Sequence, residues 1–189
     1  MNIEHRAIVE QEKILLEPVT VREISKLKYF IPDYQRGYRW KEIQVGQLLD
    51  DIYNFESQSL ENNESTWYCL QPLVVKNMEV FPDEFEGDQS ATWMEVIDGQ
   101  QRLTTLYLLL TFLEQNNAGN KASVGHAGHL QYESRARATE ALRQVAQEAA
   151  GLRIRPQDST SNSDIGIHEG YSIINQFFKQ HETLNTEHP

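Results

Sequence analysis

An almost wholly apolar run at residues 103–113, entered through an Asp-Gly turn, constrains the fold of this chain more than any other feature. Residues 93–97 before the turn predict a short buried strand. The run after the turn predicts a helix over residues 101–115, and a helix that is apolar on nearly every face must lie in the centre of a fold. The sequence therefore predicts a strand, a tight turn and a central helix.

The turn at Asp98 and Gly99 brings together the donors of an anion-binding site. The first backbone N–H groups of a helix lack intrahelical partners, and the helix dipole favours negative charge beside them. Gln100, Gln101 and Arg102 add side-chain donors, and the planar guanidinium of arginine suits phosphate oxygens. An ordinary turn in which Asp98 caps the helix accounts for the same residues, and the residues alone leave both interpretations open.

The composition is that of a globular protein with an excess of acidic residues. The chain has 189 residues, of which 39% are hydrophobic and 24% charged, enough for a domain with its own core. Because the net charge is −11, any contact with duplex DNA must come from a local patch or from another domain or subunit. The single cysteine, Cys69, excludes a disulfide framework. No apolar run reaches the roughly 20 residues of a membrane span, and the N-terminus lacks the pattern of a signal peptide, so we expect a cytoplasmic protein without membrane contacts.

Hydrophobic periodicity and turn signals predict the remaining elements. Thr20 and Glu23 form a capping-box pattern that opens a short helix. The elements expected after it are a strand at 29–31, a helix at 42–55, a strand at 67–76, and helices at 133–150 and 167–181. Glycine, asparagine and other small residues at 116–129 predict a linker. We therefore divide the chain into a core domain, residues 1–118, and a helical C-terminal subdomain, residues 119–189.

A second string, Ile-Pro-Asp-Tyr-Gln-Arg-Gly-Tyr-Arg-Trp, begins at Ile31 and alternates aromatic with polar residues. If it is extended, its aromatics and one arginine share a face: Tyr34, Arg36, Tyr38 and Trp40. Aromatic and cationic groups together suit stacking on a base and contact with phosphate. Burial of Tyr38 and Trp40 in the core is the competing interpretation, because large aromatics dominate cores. Gln35, behind an Ile-Pro bend, has no packing reason to be there.

The two strings together resemble the signatures of GmrS-like N-terminal domains of GmrSD-type, modification-dependent (type IV) restriction systems. Later segments at 67–75, 130–135 and 170–174 are also similar to that family, although Gln71 stands where the family often has glycine. The likeness covers most of the chain. It implies an α+β fold with a small mixed sheet of ParB/sulfiredoxin-like character, surrounding helices and a helical C-terminal part.

In the resembling family, the Asp-Gly-Gln-Gln-Arg string binds a nucleoside triphosphate and supports its hydrolysis. The resemblance implies that Gly99, the amides that follow it and Gln100 hold phosphate, while Arg102 neutralises the transferred phosphoryl group. Asp98 and Gln101 complete the implied catalytic set. Asp98 either holds Mg²⁺, orients a water molecule or caps the helix.

Further residues are implied at the nucleotide. The hydroxyls of Thr104 and Thr105 would reach phosphate or metal-bound water, and Tyr34, Gln35 and Arg36 would lie beside the nucleotide. The expected cofactors are therefore a nucleoside triphosphate and Mg²⁺, and the chain is expected to be an NTPase domain.

The sequence contains no recognisable HNH nuclease site, although members of the resembling family carry or partner with an HNH-type nuclease. The resemblance therefore implies a nuclease domain or subunit as partner, and modified DNA bound through the full assembly. A non-hydrolysing module that binds DNA or senses its modification is the alternative, and an interaction module with a vestigial site is a third. The sequence leaves open the preferred nucleotide, the modification sensed and the oligomeric state, a homo-oligomer included.

Overall fold

A computed structural model describes residues 18–62, 67–83, 85, 87–116, 129–133, 136–149 and 162–186, in which helices and strands are interspersed along the chain. The helices are α1 Val21–Ile24, α2 Glu42–Asn62, α3 Gln100–Asn116, α4 Ala136–Ala149 and α5 Asn162–Thr186. The strands are β1 Lys28–Ile31, β2 Val74–Asn77, β3 Trp93–Asp98 and β4 Leu130–Tyr132. This composition confirms the predicted α+β class.

The strands form one mixed sheet in the order β2-β3-β1-β4. β1 runs parallel to both β3 and β4, whereas β2 and β3 form an antiparallel pair. Because β1, β3 and β4 are parallel, their carboxyl ends, at Ile31, Asp98 and Tyr132, lie at the same edge of the sheet. That edge is where open sheets of this kind most often bind ligands.

The two faces of the sheet are covered differently. Tyr29 and Ile31 are in register with Leu130 and Tyr132, and all of them belong to the buried core with Val96. The helices pack on this face. On the opposite face the segment between β2 and β3 folds back onto the strands, and the ring of its residue Phe85 lies 5.8 Å from that of Phe30 and 4.9 Å from that of Trp93.

Helix α3 lies at the centre of the helical layer, as its composition predicted. Leu103, Tyr107, Leu108 and Phe112 are all buried, and α3 contacts both α4 and α5. None of the described helices combines the length and the apolar composition that a membrane span requires.

Several predicted boundaries were wrong. The strand predicted at 67–76 forms only at Val74–Asn77, because Gln71 has a φ of 68°, a left-handed conformation that interrupts the regular extended backbone. β4 was not predicted at all. α2 continues beyond residue 55, and α5 begins at Asn162 rather than at residue 167. The capping box of Thr20 and Glu23 is present as predicted, although α1 ends at Ile24.

The predicted linker falls largely outside the described residues, and so does the proposed boundary between residues 118 and 119. β4, which follows that boundary in sequence, is hydrogen-bonded to β1. α5 packs against α2 and α3 as well as α4.

Candidate functional site

The string that begins at Ile31 folds as a loop around the first turn of α3, and Gln101 holds it there. The side-chain Oε1 of Gln101 accepts hydrogen bonds from the backbone N–H of Arg39 at 2.7 Å and of Trp40 at 3.2 Å. Its Nε2 donates to the carbonyl of Gly37 at 2.9 Å. Because Gln101 is only 7% exposed and both ends of its amide are engaged, this predicted catalytic residue positions the loop.

Two further glutamines tie the loop to the strand-helix corner. Gln100 Nε2 donates to the carbonyl of Arg36, and Gln35 Nε2 donates to the carbonyl of Ile97, both at 2.6 Å. The Oε1 of Gln100 is buried and accepts no hydrogen bond from the residues that the structure describes. A buried acceptor without a hydrogen-bond donor lowers the stability of the fold by about 1–3 kcal/mol. A donor from a ligand or a water molecule would remove this cost.

Gly99 makes the turn between β3 and α3. Its φ of 90° is unfavourable for other residues, and a Cβ there would lie 3.0 Å from Leu73 Cδ1 and 3.3 Å from the carbonyl oxygen of Pro72. The backbone N–H of Leu103 donates to the Gly99 carbonyl at 2.9 Å. The backbone N–H groups between them, those of residues 100–102, donate to no atom in the described part of the chain. The helix therefore begins with open donors.

Asp98 ends β3 beside these donors. Its side chain is exposed and makes no hydrogen bond or ion pair within the described ranges, so it does not cap α3. Among the described residues, no group of His, Cys, Asp and Glu side chains could hold a metal ion by itself. Since protein-bound Mg²⁺ commonly uses one or two carboxylates together with substrate phosphates, Asp98 fits Mg²⁺ only if phosphate oxygens complete the coordination.

Arg102 joins α3 to the loop that precedes β2. Its guanidinium donates to the carbonyl of Pro72 at 3.1 Å and to Gln71 Oε1 at 2.6 Å. Those contacts hold Gln71 in its left-handed conformation. A guanidinium has five N–H donors, so the half-buried side chain retains donors for a further acceptor.

Thr104 and Thr105 lie beneath the corner, in the core, and not at its surface. Both are 0% exposed, and each hydroxyl donates at 2.9 Å to the carbonyl one helical turn earlier. Each then accepts from a tyrosine hydroxyl, Thr104 from Tyr132 at 2.8 Å and Thr105 from Tyr38 at 2.9 Å. Burial raises the pKa of Tyr38 to about 12. In this arrangement the threonines support the helix start and do not face a phosphate.

The loop does not present its aromatics and arginine on one face as the extended interpretation required. Gln35 N–H donates to the carbonyl of Pro32 at 3.0 Å, which forms a turn. Tyr34 is therefore 64% exposed, whereas Tyr38 is 1% exposed in the core. Burial was the correct interpretation of Tyr38, while Trp40 is half-buried against the same core.

Tyr34 points away from the corner. Its hydroxyl donates to Glu95 Oε1 at 3.0 Å, and Glu95 lies on the sheet face opposite the helices, in register with Phe30. The pKa of Tyr34 is raised mainly because its hydroxyl loses hydration, and to a smaller extent by the hydrogen bond to Glu95.

Two exposed arginines flank the open start of α3. Arg36 and Arg39 carry the backbone groups that Gln100 and Gln101 bind, and neither guanidinium has a partner among the described residues. The corner is thus a local cationic site in an acidic chain. Sequence reasoning selected Arg36 but missed Arg39; its position next to Trp40 in the same string was the available signal.

Comparison with known protein families gives a match that covers most of the chain. Residues 19–188 match the family described as GmrSD restriction endonuclease, N-terminal domain. No curated protein matches the chain.

Proposed function

The chain belongs to the family of GmrSD restriction endonuclease N-terminal domains, a component of type IV restriction systems, and we propose that it binds a nucleoside triphosphate and hydrolyses it with Mg²⁺. The start of α3 is the binding site in this proposal. Hydrolysis would regulate a nuclease that acts on modified DNA.

The observation that carries the proposal is the open start of α3 between two exposed arginines that have no partner among the described residues. The backbone N–H groups of residues 100–102 have no acceptor in the described part of the chain, and they lie at the positive end of a helix of 17 residues. Arg36 and Arg39 add exposed cations on the adjacent loop, and Arg102 adds one that is hydrogen-bonded to Pro72 and Gln71. Phosphate oxygens are the acceptors that suit amide groups and guanidinium groups together.

The oxygen of Gln100 that has no partner among the described residues requires a hydrogen-bond donor. A ribose hydroxyl is such a donor. In this proposal Gln100 binds the sugar while the amides of α3 bind phosphate.

In the proposed hydrolysis, water attacks the γ-phosphorus and the bond from that phosphorus to the bridging oxygen breaks. Arg102 and the exposed arginines would neutralise the charge that accumulates on the oxygens of the transferred group. Asp98 would orient the water or hold Mg²⁺ with the phosphates. Gln101 contributes by positioning the loop, since its amide is fully engaged with backbone groups.

We propose the same partners that the family implies. A nuclease domain or subunit of HNH type would cut the DNA, and modified DNA would be bound by the full assembly. The acidity of the chain supports this division, because a net charge of −11 disfavours extensive contact with a phosphate backbone.

Titration calorimetry with ATP, GTP, CTP and UTP in the presence of Mg²⁺ tests the proposal. At least one nucleotide should bind, and an Arg36→Ala/Arg39→Ala variant should bind it roughly tenfold more weakly, a loss of about 1.4 kcal/mol. Arg22→Ala is the matched control, because Arg22 is also an exposed arginine but lies on α1. Equal binding by all variants would remove the arginines from the site.

A DNA-binding module that does not hydrolyse nucleotides is the second candidate. It is favoured by the exposure of Tyr34, at 64%, two residues from Arg36, whose guanidinium has no partner among the described residues. In that case an oligonucleotide should bind with an affinity that falls steeply with salt. Fluorescence anisotropy that shows no binding at low salt would exclude it.

A further inference from the structure

A pocket lies on the sheet face opposite the helices, away from the start of α3, and it has no part in the nucleotide proposal. Its volume is about 220 Å³. On the strand side it is lined by Phe30 and Gln131, which are in register on β1 and β4. The segment between β2 and β3 closes the other side, and acidic residues stand at the carboxyl edge of the strands. The remaining lining residues are Asp33, Pro82, Asp83, Phe85 and Glu133.

The aromatic wall of this pocket is preformed. Phe85 packs edge-on against Phe30 and Trp93, with ring centroids 5.8 Å and 4.9 Å apart, and also contacts Phe81. Gly87 allows this packing, because a Cβ at that position would lie 2.4 Å from Phe85 Cζ. The ring therefore cannot collapse into the pocket without disturbing its neighbours.

Gln131 provides an unpartnered polar group inside the pocket. The residue as a whole is only 8% exposed, and its side-chain amide takes part in no hydrogen bond among the described residues. The amide atoms are open to the pocket, since Gln100 Oε1 is the one described side-chain atom that is both fully buried and without a partner. A primary amide offers one acceptor oxygen and two donor hydrogens, and buried groups of this kind are normally paired. The amide thus indicates a polar ligand.

The carboxylates around the pocket determine which sign of charge the ligand carries. Asp33 and Asp83 form no ion pair or side-chain hydrogen bond within the described ranges. Glu133 accepts a hydrogen bond from the backbone N–H of Asp33 at 2.9 Å, through one of its two oxygens. Phosphate and carboxylate ligands are therefore repelled, and a cation is favoured.

The cations on the same face are engaged elsewhere. Lys76 pairs with Glu95 at 3.2 Å, and Lys28 lies 5.6 Å from the centre of the Trp93 ring. Among the described residues, no grouping of acidic side chains could hold a metal ion. Phenyl rings beside carboxylates suit an organic cation, which the ring faces also attract.

We propose that this pocket binds an organic cation with N–H donors, a guanidinium or an alkylammonium group. Its N–H groups would donate to Gln131 Oε1 and to the carboxylates of Asp83 and Glu133, while its carbon atoms pack on Phe30 and Phe85. Either a free amine or an arginine or lysine side chain of a partner protein carries this chemistry. The site is on the opposite side of the sheet from α3, so it stands whether or not the nucleotide proposal is correct.

Calorimetric titration of the full chain at low salt tests the pocket with three probes: agmatine, spermidine and a blocked pentapeptide with a central arginine. Saturable binding of at least one probe is expected. Gln131→Met, which keeps the side-chain volume, should weaken it about fivefold, and Asp83→Asn about threefold, since each removes one polar contact. Asp50→Asn, an exposed carboxylate on α2, is the matched control and should change nothing.

The probes distinguish the sources of the cation. Tighter binding of agmatine or spermidine supports a free amine, and tighter binding of the peptide supports a partner side chain. Asp83 is exposed, so its variant keeps the test informative if Gln131→Met does not fold. Failure of all probes to saturate, equal losses in Asp83→Asn and Asp50→Asn, or binding of Mg²⁺ alone at these residues would each overturn the proposal.

Discussion

Tyr38 and Thr105 share a buried hydrogen bond of 2.9 Å although they are 67 residues apart in the chain. One belongs to the loop that begins at Ile31 and the other to the first turns of α3. The bond is one of a set that holds the loop against the helix start, with Gln35, Gln100 and Gln101 supplying the others. The candidate site therefore exists only where these two segments meet.

Removing the hydroxyl of Tyr38 should weaken this junction. Tyr38→Phe is expected to lower the free energy of unfolding by about 1 kcal/mol, because Thr105 keeps its bond to the carbonyl of Gln101. Urea denaturation of Tyr38→Phe, Thr105→Val and the double variant measures the coupling between the two residues. A coupling energy near zero would show that the hydroxyls do not interact.

Gln101 should matter more to stability than to chemistry. Gln101→Leu leaves the backbone groups of Gly37, Arg39 and Trp40 without partners, and we expect a loss of about 2–4 kcal/mol. Gln47→Leu on the exposed face of α2 is the control and should cost less than about 0.5 kcal/mol. Denaturant titrations compare the two. A stable Gln101→Leu protein that binds nucleotide normally but hydrolyses none would instead make Gln101 catalytic.

The turn at Gly99 should reject any side chain. Gly99→Ala is expected to destabilise the protein by about 1–3 kcal/mol, since its φ is 90° and the new Cβ would lie 3.0 Å from Leu73 Cδ1. Gly46→Ala is a matched control with the opposite sign. No atom lies within 4 Å of its added Cβ, in the interior of α2, so it should stabilise by about 0.4–1 kcal/mol. Thermal unfolding of both variants checks the pair, and equal shifts would contradict the account.

Stability should fall in alkaline solution. Burial raises the pKa of Tyr29 and of Tyr38 to about 12 from 10.0, and it also raises that of Tyr107. The folded state therefore retains tyrosine protons that the unfolded chain loses, so the contribution of these tyrosines to the free energy of unfolding is constant below about pH 10 and decreases above it. Each tyrosine contributes a slope of at most about 1.4 kcal/mol per pH unit. In urea titrations from pH 9 to 11, Tyr38→Phe should show a shallower decrease than the parent chain; an identical slope would contradict this.

Much of the fold followed from periodicity, because amphipathic and apolar patterns report which residues a helix or strand must bury. The central position of α3 was predictable in this way. β4 was not, since three residues carry too little pattern. The strand predicted at 67–76 forms only from Val74 onward, because apolar composition does not reveal the left-handed backbone of Gln71.

At the candidate site, the sequence predicted which two segments matter, the loop that begins at Ile31 and the start of α3. It did not predict which atoms their side chains contact. The side-chain amide of a residue such as Gln101 can form hydrogen bonds with a ligand or with backbone groups of the protein. Only the structure reveals which backbone groups need such partners. Thr104 and Thr105 were expected at phosphate. Their place on a helix buried on nearly every side is the physical reason that they lie in the core.

The central claim is that phosphate binds at the first turn of α3, and amide chemical shifts test it most directly. In ¹⁵N-resolved NMR of the full chain titrated with each nucleoside triphosphate and Mg²⁺, the account predicts saturable shifts of the amides of residues 99–102. The side-chain amide of Gln100 should shift with them, while residues of the opposite sheet face such as Gln131 remain unchanged. The absence of shifts at 99–102 with every nucleotide, from a chain shown to be folded, would contradict it.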